Sequence, residues 1–305
     1  NAGAEGFADA VPRQQSQCDD RSSARPKVPI KEAAREFGWE RARELEKYAF
    51  TREWRIFVPD FAIEVWRRIR KDPVAVGQQE YALVFRGTAG YGGWFSNLRP
   101  ITALLPGFWD HYKQAEASAR RIVEQIYMIE FLRYEWQLGQ ARAGVGPPPR
   151  SDAIELPLIT MVGHSLGAGL ARYAYLRVPE ATRVVGFNPS PVDGGHTLFP
   201  LAARERFTQG RRQDPGEFCV APGTPLPSES PSMFFLHEMG DALTEIAPCF
   251  SGPEWGSEGG PVALCQGVDL SHGSALRQHA MNIMACRLSV RYFKDKKGSA
   301  FARQP

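Results

Sequence analysis

The residues best suited to covalent chemistry surround Ser165. This serine stands between Gly163 and Gly167 in a G-x-S-x-G pattern, after the apolar run 156–162 and before a helix-like segment. Such a context is typical of a nucleophile elbow, a strained turn that exposes the serine hydroxyl. A side chain at either glycine would keep the strand and the helix apart. The sequence therefore predicts Ser165 as a catalytic nucleophile.

A serine hydroxyl is a weak nucleophile near neutral pH and needs a general base, which a third group holds in place. With this elbow the order along the chain is serine, acid, histidine. Only His272 and His279 come late enough to follow a suitable acid. We favour His279 as the base because it lies near the start of the last predicted helix, and keep His272 as the alternative. Either one could instead be an ordinary surface histidine.

The acid of the set is predicted to be Asp241, which closely follows the predicted strand 232–237. Carboxylates at the carboxyl ends of parallel strands are where α/β architectures place their chemistry. Asp193, shortly after the strand that ends near Phe187, is the alternative acid. A purely structural interpretation of Asp241 is the N-cap of a helix.

Acyl transfer also requires hydrogen-bond donors for the oxyanion that develops on the substrate. The residue after the nucleophile, Leu166, supplies one backbone N–H, and a second donor comes from a loop after an earlier strand. Thr88 follows the apolar strand 81–85 and offers both a backbone N–H and a hydroxyl. We predict Thr88 and Leu166 as the oxyanion hole, with an ordinary turn as the alternative for Thr88.

Other chemistries fit the sequence poorly. His237 and Glu238 begin a zinc-like motif, but the second histidine of H-E-x-x-H is missing. The glycines of 87–93 lack the G-K-[ST] of a phosphate loop. A formal net charge of +3 is too small to indicate a nucleic-acid partner. We expect no metal, no cofactor and no nucleic acid, and the lack of a long apolar run predicts a soluble or peripheral protein.

The five cysteines lack metal-binding spacing, and two of them bracket a loop rich in glycine and proline. A disulfide between Cys249 and Cys265 would constrain the unfolded chain by about 3 kcal/mol. It would indicate a secreted, periplasmic or envelope protein. The alternative is a cytosolic protein with five reduced cysteines.

The elements that must position these groups alternate between strand and helix, which predicts an α/β fold with a parallel sheet. Apolar and β-branched runs predict the strands 81–85, 156–162, 183–187 and 232–237. Helical spacing predicts the helices 30–48, 61–69, 109–138 and 274–293.

The chain is predicted to form one large catalytic domain, 51–305, behind an N-terminal extension, 1–50, that consists of a polar tail and a helix. Two long segments, 190–232 and 249–272, are rich in glycine, proline and polar residues. We interpret both as insertions in the catalytic domain that could reshape a substrate entrance.

Four motifs together resemble the class 3 lipase family, in particular its bacterial members. The stretch 85–88 with Trp94 resembles the family's oxyanion loop, and 163–169 matches its elbow. The stretch 240–243 is similar to its acid-bearing turn, and His279 with Met281 resembles its histidine position. The similarity runs from about residue 75 to 290.

This resemblance implies an α/β-hydrolase fold, with a mostly parallel central sheet flanked by helices, and a Ser-His-Asp triad without a metal. It also implies an ester or phospholipid substrate, reached at a membrane surface through a lid that here corresponds to 91–95. The expected function is that of a lipase or phospholipase. Two alternatives remain: a catalytically silent binding module, and a phospholipase toxin that acts on a cell envelope and has a cognate inhibitor protein. The oligomeric state is left open.

Overall fold

The computed structural model describes residues 37–49, 61–69, 78–87, 111–147, 156–189, 218–220, 233–238 and 263–268. In this part of the chain eight strands form one sheet, and the fold is α/β. The strands are β1 (Glu40–Arg41), β2 (Ile63–Ile69), β3 (Gln79–Phe85), β4 (Leu158–His164), β5 (Arg183–Phe187), β6 (Phe218–Val220), β7 (Met233–Glu238) and β8 (Ala263–Val268). The helices are α1 (Arg43–Glu46), which a 3-10 turn follows, α2 (His111–Arg142) and α3 (Leu166–Arg177).

The sheet is mixed, with the order β1-β2-β3-β4-β5-β7-β8-β6. The first two strands pair antiparallel, as do β2 and β3. From β3 onward each neighbouring pair is parallel. The carboxyl ends of β3, β4, β5 and β7 therefore lie side by side along one edge of the sheet, where chemistry in α/β folds is usually found.

Helices α2 and α3 cover one face of the sheet. Each connects two neighbouring parallel strands, β3 to β4 and β4 to β5, and such crossovers are right-handed. Because both steps go the same way across the sheet, both helices lie on the same face, and they pack against each other through an edge-to-face contact of Tyr112 with Tyr173. The core lies beneath them, with its largest fully buried side chains at Leu45, Tyr81, Leu83, Phe85, Tyr112, Ile122, Ile126, Ile159, Met161, Leu166 and Phe235.

Helix α2 ends in a glycine-based cap. Gly144 adopts a φ of +69°, the left-handed region that glycine enters without a steric penalty. Its N–H donates to the carbonyl of Ala141, and the N–H of Val145 donates to that of Gln140. This pair of bonds is a Schellman motif, which satisfies carbonyls that the end of a helix leaves free.

The predicted helix at 61–69 is wrong, because this segment contains strand β2. Phe61, Ile63 and Val65 are buried at every second position, with 7%, 3% and 0% of their surface exposed. A period of two is that of a strand with one face on the core. The helical interpretation relied on Val65, Trp66 and Ile69, and Ile69 is exposed.

The predicted helix at 30–48 is also wrong over the residues that the structure describes. Within 37–49 the chain forms the short strand β1, the single helical turn α1 and a 3-10 turn. Ala42, Leu45 and Ala49 are buried in the same core as the sheet. The hydroxyl of Ser118 in α2 donates to the carbonyl of Ala49 at 2.7 Å. This part of the predicted N-terminal extension therefore packs directly onto the α/β unit.

Two strands lie where sequence analysis predicted only loops. Strand β6 falls within 190–232, and β8 falls within 249–272. Strand β8 pairs with β7 on one side and with β6 on the other. The register places Cys219 opposite Cys265, whereas Cys249 lies outside the described residues. The disulfide between Cys249 and Cys265, the helix 274–293 and the domain boundary near residue 50 stay predictions.

The predicted strands 81–85, 156–162, 183–187 and 232–237 are confirmed, with shifts of one or two residues at their ends. The long helix predicted at 109–138 is confirmed as α2. None of the helices in the described ranges has the length and apolar content to cross a bilayer.

Candidate active site

Ser165 occupies the junction between β4 and α3. Its φ of +56° and ψ of −128° lie in a region that residues with a side chain rarely adopt. The N–H of Ser165 donates to the carbonyl of Phe187, and its own carbonyl accepts from Ala168. These bonds hold the turn between two strands and the helix, so the surrounding structure imposes the strained conformation. Strain of this kind is concentrated at functional sites.

The two elbow glycines are required by close contact between backbones. A Cβ on Gly163 would overlap the carbonyl group of Gly167, and a Cβ on Gly167 would overlap the carbonyl oxygen of Phe85. Both glycines have ordinary negative or extended φ values, so they are needed for space rather than for unusual dihedral angles. Gly163 and Gly167 therefore have a steric role in this turn, and their assignment as the elbow glycines of a catalytic site stays a prediction.

Gly87 brings the end of β3 against the serine. A Cβ built on Gly87 would lie 2.8 Å from the carbonyl oxygen of His164 and 3.5 Å from the Cβ of Ser165. Sequence analysis gave Gly87 no role. The available signal was a glycine directly before the predicted oxyanion residue, where a close backbone approach needs one.

Of the two predicted oxyanion donors, Leu166 lies within the described residues. Leu166 is fully buried in the first turn of α3, at the end of the helix where the dipole favours negative charge. The side chain of Ser165 makes no capping bond to this turn. Thr88 lies just outside the described residues, but its covalent neighbour Gly87 is already beside the serine.

The predicted acids and bases lie outside the described residues. The structure describes only the strands that precede them in the chain. Asp241 comes three positions after the end of β7, and Asp193 comes shortly after β5. Since β7 is two strands from β4, the backbone that leads to Asp241 starts roughly 10 Å from the end of β4. Both His272 and His279 follow β8, one strand further along the same edge. The three strands that precede the four candidates, β5, β7 and β8, all lie on the same side of β4 in the sheet.

Away from this edge, a buried charged cluster lies near the amino end of β3. The hydroxyl of Tyr81 donates to Glu130 of α2 at 2.6 Å, and the guanidinium of Arg133 donates to both carboxylate oxygens of Glu130 at 2.9 and 2.7 Å. Burial, together with the bond to the Glu130 carboxylate, raises the pKa of Tyr81 well above its ordinary value of 10.0. The cluster fixes α2 to the sheet at the end opposite Ser165.

Within the described ranges no group of three or more histidine, cysteine or acidic side chains could hold a metal ion. No protein-family model matches the chain, and no curated protein matches it significantly. The geometry around Ser165 therefore carries the functional argument.

Proposed function

We propose that the protein is a serine hydrolase of the α/β-hydrolase class, which forms an acyl-enzyme on Ser165. The observation that carries this proposal is the conformation of Ser165 at a strand-to-helix turn between two sterically required glycines. A serine in an ordinary glycine-rich turn has no need of a positive φ, which costs of order 1–3 kcal/mol. In a nucleophile elbow the strain exposes the hydroxyl.

The remaining roles are assigned on the same proposal. His279, or alternatively His272, takes the proton of Ser165 and later gives it to the leaving alcohol. Asp241, or alternatively Asp193, orients the imidazole and stabilises its charged form. The N–H groups of Leu166 and Thr88 stabilise the tetrahedral intermediate, for which removal of a single donor typically costs 10²–10³ in rate.

Among serine hydrolases we propose a carboxylic-ester hydrolase that acts on lipid acyl esters, as a lipase or a phospholipase. Support for this narrower proposal comes from the sequence motifs at 85–88 and 163–169, which the structure brings into contact through Gly87 and Gly167. We expect a secreted or envelope protein that contacts a lipid surface transiently.

The experiment is incubation of the full chain with defined phospholipids, glycerides and short-chain esters, followed by mass spectrometry of the products. We expect release of a fatty acid from at least one lipid, and none with Ser165→Ala. Matched reactions with Ser118→Ala control for loss of a serine, since the hydroxyl of Ser118 is buried against Ala49. The lipase proposal fails if no ester releases an acyl product, or if Ser165→Ala retains the activity.

A further inference from the structure

In the described part of the chain, two residues with a side chain have a positive φ: Ser165 at +56° and Asn188 at +41°. They are neighbours in the sheet. His164 of β4 pairs with Phe187 of β5, so Ser165 and Asn188 are the next residues of two adjacent parallel strands. Residues other than glycine rarely adopt such φ values, and the exceptions are concentrated at functional sites. The function proposed above uses Ser165 but gives Asn188 no part.

The peptide group between Phe187 and Asn188 connects the serine turn to β7. Its carbonyl accepts the N–H of Ser165 at 3.0 Å, and its N–H donates to the carbonyl of Leu236 at 2.8 Å. Leu236 belongs to β7, the strand that precedes Asp241 in the chain. One planar group is therefore hydrogen-bonded to the candidate nucleophile on one side and to the strand before the predicted acid on the other.

The chain is held on both sides of Asn188. A Cβ on Gly186 would overlap the ring of Phe235 in β7 and would lie 3.1 Å from the Cβ of Ala168 in α3, so the end of β5 is closely packed. Pro189, which is buried, has no N–H with which to continue the ladder. Since neither side can shift freely, a change in the φ of Asn188 must be taken up by rotation of the peptide group before it.

Asparagine suits this position better than most residues with a side chain. Its short polar side chain makes left-handed φ values less costly than they are elsewhere. Residue 188 is only 1% exposed, so a bulkier side chain could not relax toward solvent. Glycine adopts a positive φ without cost, alanine at some cost, and a β-branched residue only as an outlier. A requirement for this φ therefore predicts a graded response to glycine, alanine and valine.

We propose that Asn188 is a positioning residue for the nucleophile: its positive φ holds the 187–188 peptide group in the orientation that accepts the N–H of Ser165. Asn188 acts through the backbone of the serine turn rather than on the substrate. This inference rests on the proposed function, because the placement of Ser165 matters to the reaction only if Ser165 is the nucleophile. The expected effect is large, since a displacement of a reacting group by about 1 Å can cost about 10²-fold in rate.

The kinetics of fluorophosphonate labelling of Ser165 in the full chain test the proposal. For Asn188→Gly we expect a limiting rate constant within about threefold of the wild type, for Asn188→Ala a roughly tenfold loss, and for Asn188→Val a loss of about a hundredfold. The probe concentration that gives the half-maximal rate should stay unchanged, because the change affects the reacting group and not the binding of the probe. Thermal melts give the folded fraction by which each rate is corrected.

A matched control lies at the opposite end of the same strand pair. The hydroxyl of Thr182, just before β5, accepts the N–H of Ile159 at 3.1 Å and donates to its carbonyl at 3.0 Å. Thr182→Val removes both bonds between β5 and β4 at the end away from Ser165. It should lower the melting temperature by roughly 2–4 °C and leave the labelling rate unchanged. This control separates positioning of the serine from a general loosening of the two strands.

Hydrogen exchange of peptides that contain Ser165 reports the backbone bond directly. We expect exchange of this amide to be roughly tenfold faster in Asn188→Ala than in the wild type, with Asn188→Gly close to the wild type. If Asn188→Val does not fold, the comparison of alanine with glycine decides alone. Equal labelling rates for these two variants overturn the proposal, and the proposed function then stands without it. No labelling of Ser165 in the wild type would instead remove the proposed function, and this inference with it.

Discussion

The two ends of strands β3 and β4 are stabilised in different ways. At the carboxyl end, backbone packs on backbone. Side chains there would separate the strands from α3, and the chain instead has glycines, at Gly87, Gly163 and Gly167. At the amino end, side chains make the contacts, through Tyr81 and Glu130. The difference shows that close packing at the end with the candidate nucleophile depends on three positions that carry no side chain. Changes at this end should affect reactivity and folding together, and changes at the other end should affect folding alone.

The largest effect on stability is expected from Gly163→Ala. The added methyl group would overlap the backbone of Gly167, which cannot rotate away as a side chain could. We expect a loss of about 3 kcal/mol or more in the free energy of unfolding, measured by urea denaturation, and loss of reactivity at Ser165. The matched control is Gly139→Ala on the exposed part of α2, where the space is open and a gain of up to about 1 kcal/mol is expected. Equal effects of the two variants would contradict the steric account.

Tyr81→Phe should have an intermediate effect, confined to folding. It removes one hydrogen bond from the buried carboxylate of Glu130 but leaves the bonds from Arg133. We expect a loss of about 1–3 kcal/mol in the free energy of unfolding, with unchanged reactivity of Ser165. A large drop in reactivity without a loss of stability would show that the two ends are coupled.

The same tyrosine predicts a pH dependence. Its pKa is raised in the folded protein, so above the unfolded-state pKa of about 10 the unfolded chain binds fewer protons than the folded chain. Stability that Tyr81 contributes is fully present below that pH and is lost as the pH rises beyond it. Urea denaturation from pH 8 to 11 should show a steeper alkaline loss for the wild type than for Tyr81→Phe. Parallel curves would argue against a buried, hydrogen-bonded hydroxyl.

Ser165→Gly should stabilise the protein while it abolishes reactivity. Glycine adopts the φ of +56° without the steric cost that serine bears, and we expect a gain of about 1 kcal/mol. Ser165→Ala removes the same hydroxyl but keeps the Cβ. A comparison of the two variants therefore isolates the cost of the backbone strain from the loss of the hydroxyl. If both variants had the same free energy of unfolding, the backbone at this turn would not be strained.

The smallest effect is expected at the outer edge of the sheet. Arg67 of β2 contacts Glu40 and Glu44 at 2.6 and 2.7 Å, but all three side chains are at least one third exposed. Exposed ion pairs contribute little to stability. Arg67→Ala should therefore lower the free energy of unfolding, measured by urea denaturation, by less than about 1 kcal/mol and leave the reactivity of Ser165 unchanged. A larger cost would mean that β1 contributes more to the stability of the sheet than its length indicates.

The elements around Ser165 could be predicted because local signals agree there. Apolar runs, a glycine pattern and a long helical period all fall between 79 and 187, where connected elements are close in sequence. Strand β2 was predicted as a helix because Val65, Trp66 and Ile69 fit a helical face. The burial of Ile63 and Val65 at alternate positions shows that pairing with β3 decides this segment.

Strands β6 and β8 could not be predicted because glycine- and proline-rich sequence surrounds both. Their strand state depends on pairing with residues far away in the chain, as β8 shows by joining both β7 and β6. In the candidate site, sequence analysis predicted the strand-to-helix turn at Ser165 and its two glycines but gave Gly87 no role. The local signal was the glycine before Thr88, but its contact with the carbonyl of His164 joins segments more than seventy residues apart, and the partner cannot be read from the local pattern.

The most direct test of the account is labelling of the full chain with a fluorophosphonate probe, followed by mass spectrometry of the labelled peptide. We predict one labelled serine, Ser165, with labelling abolished in Ser165→Ala and retained in Ser118→Ala. Modification of a different serine, or no modification of folded wild-type protein, would contradict the assignment of Ser165 as the nucleophile.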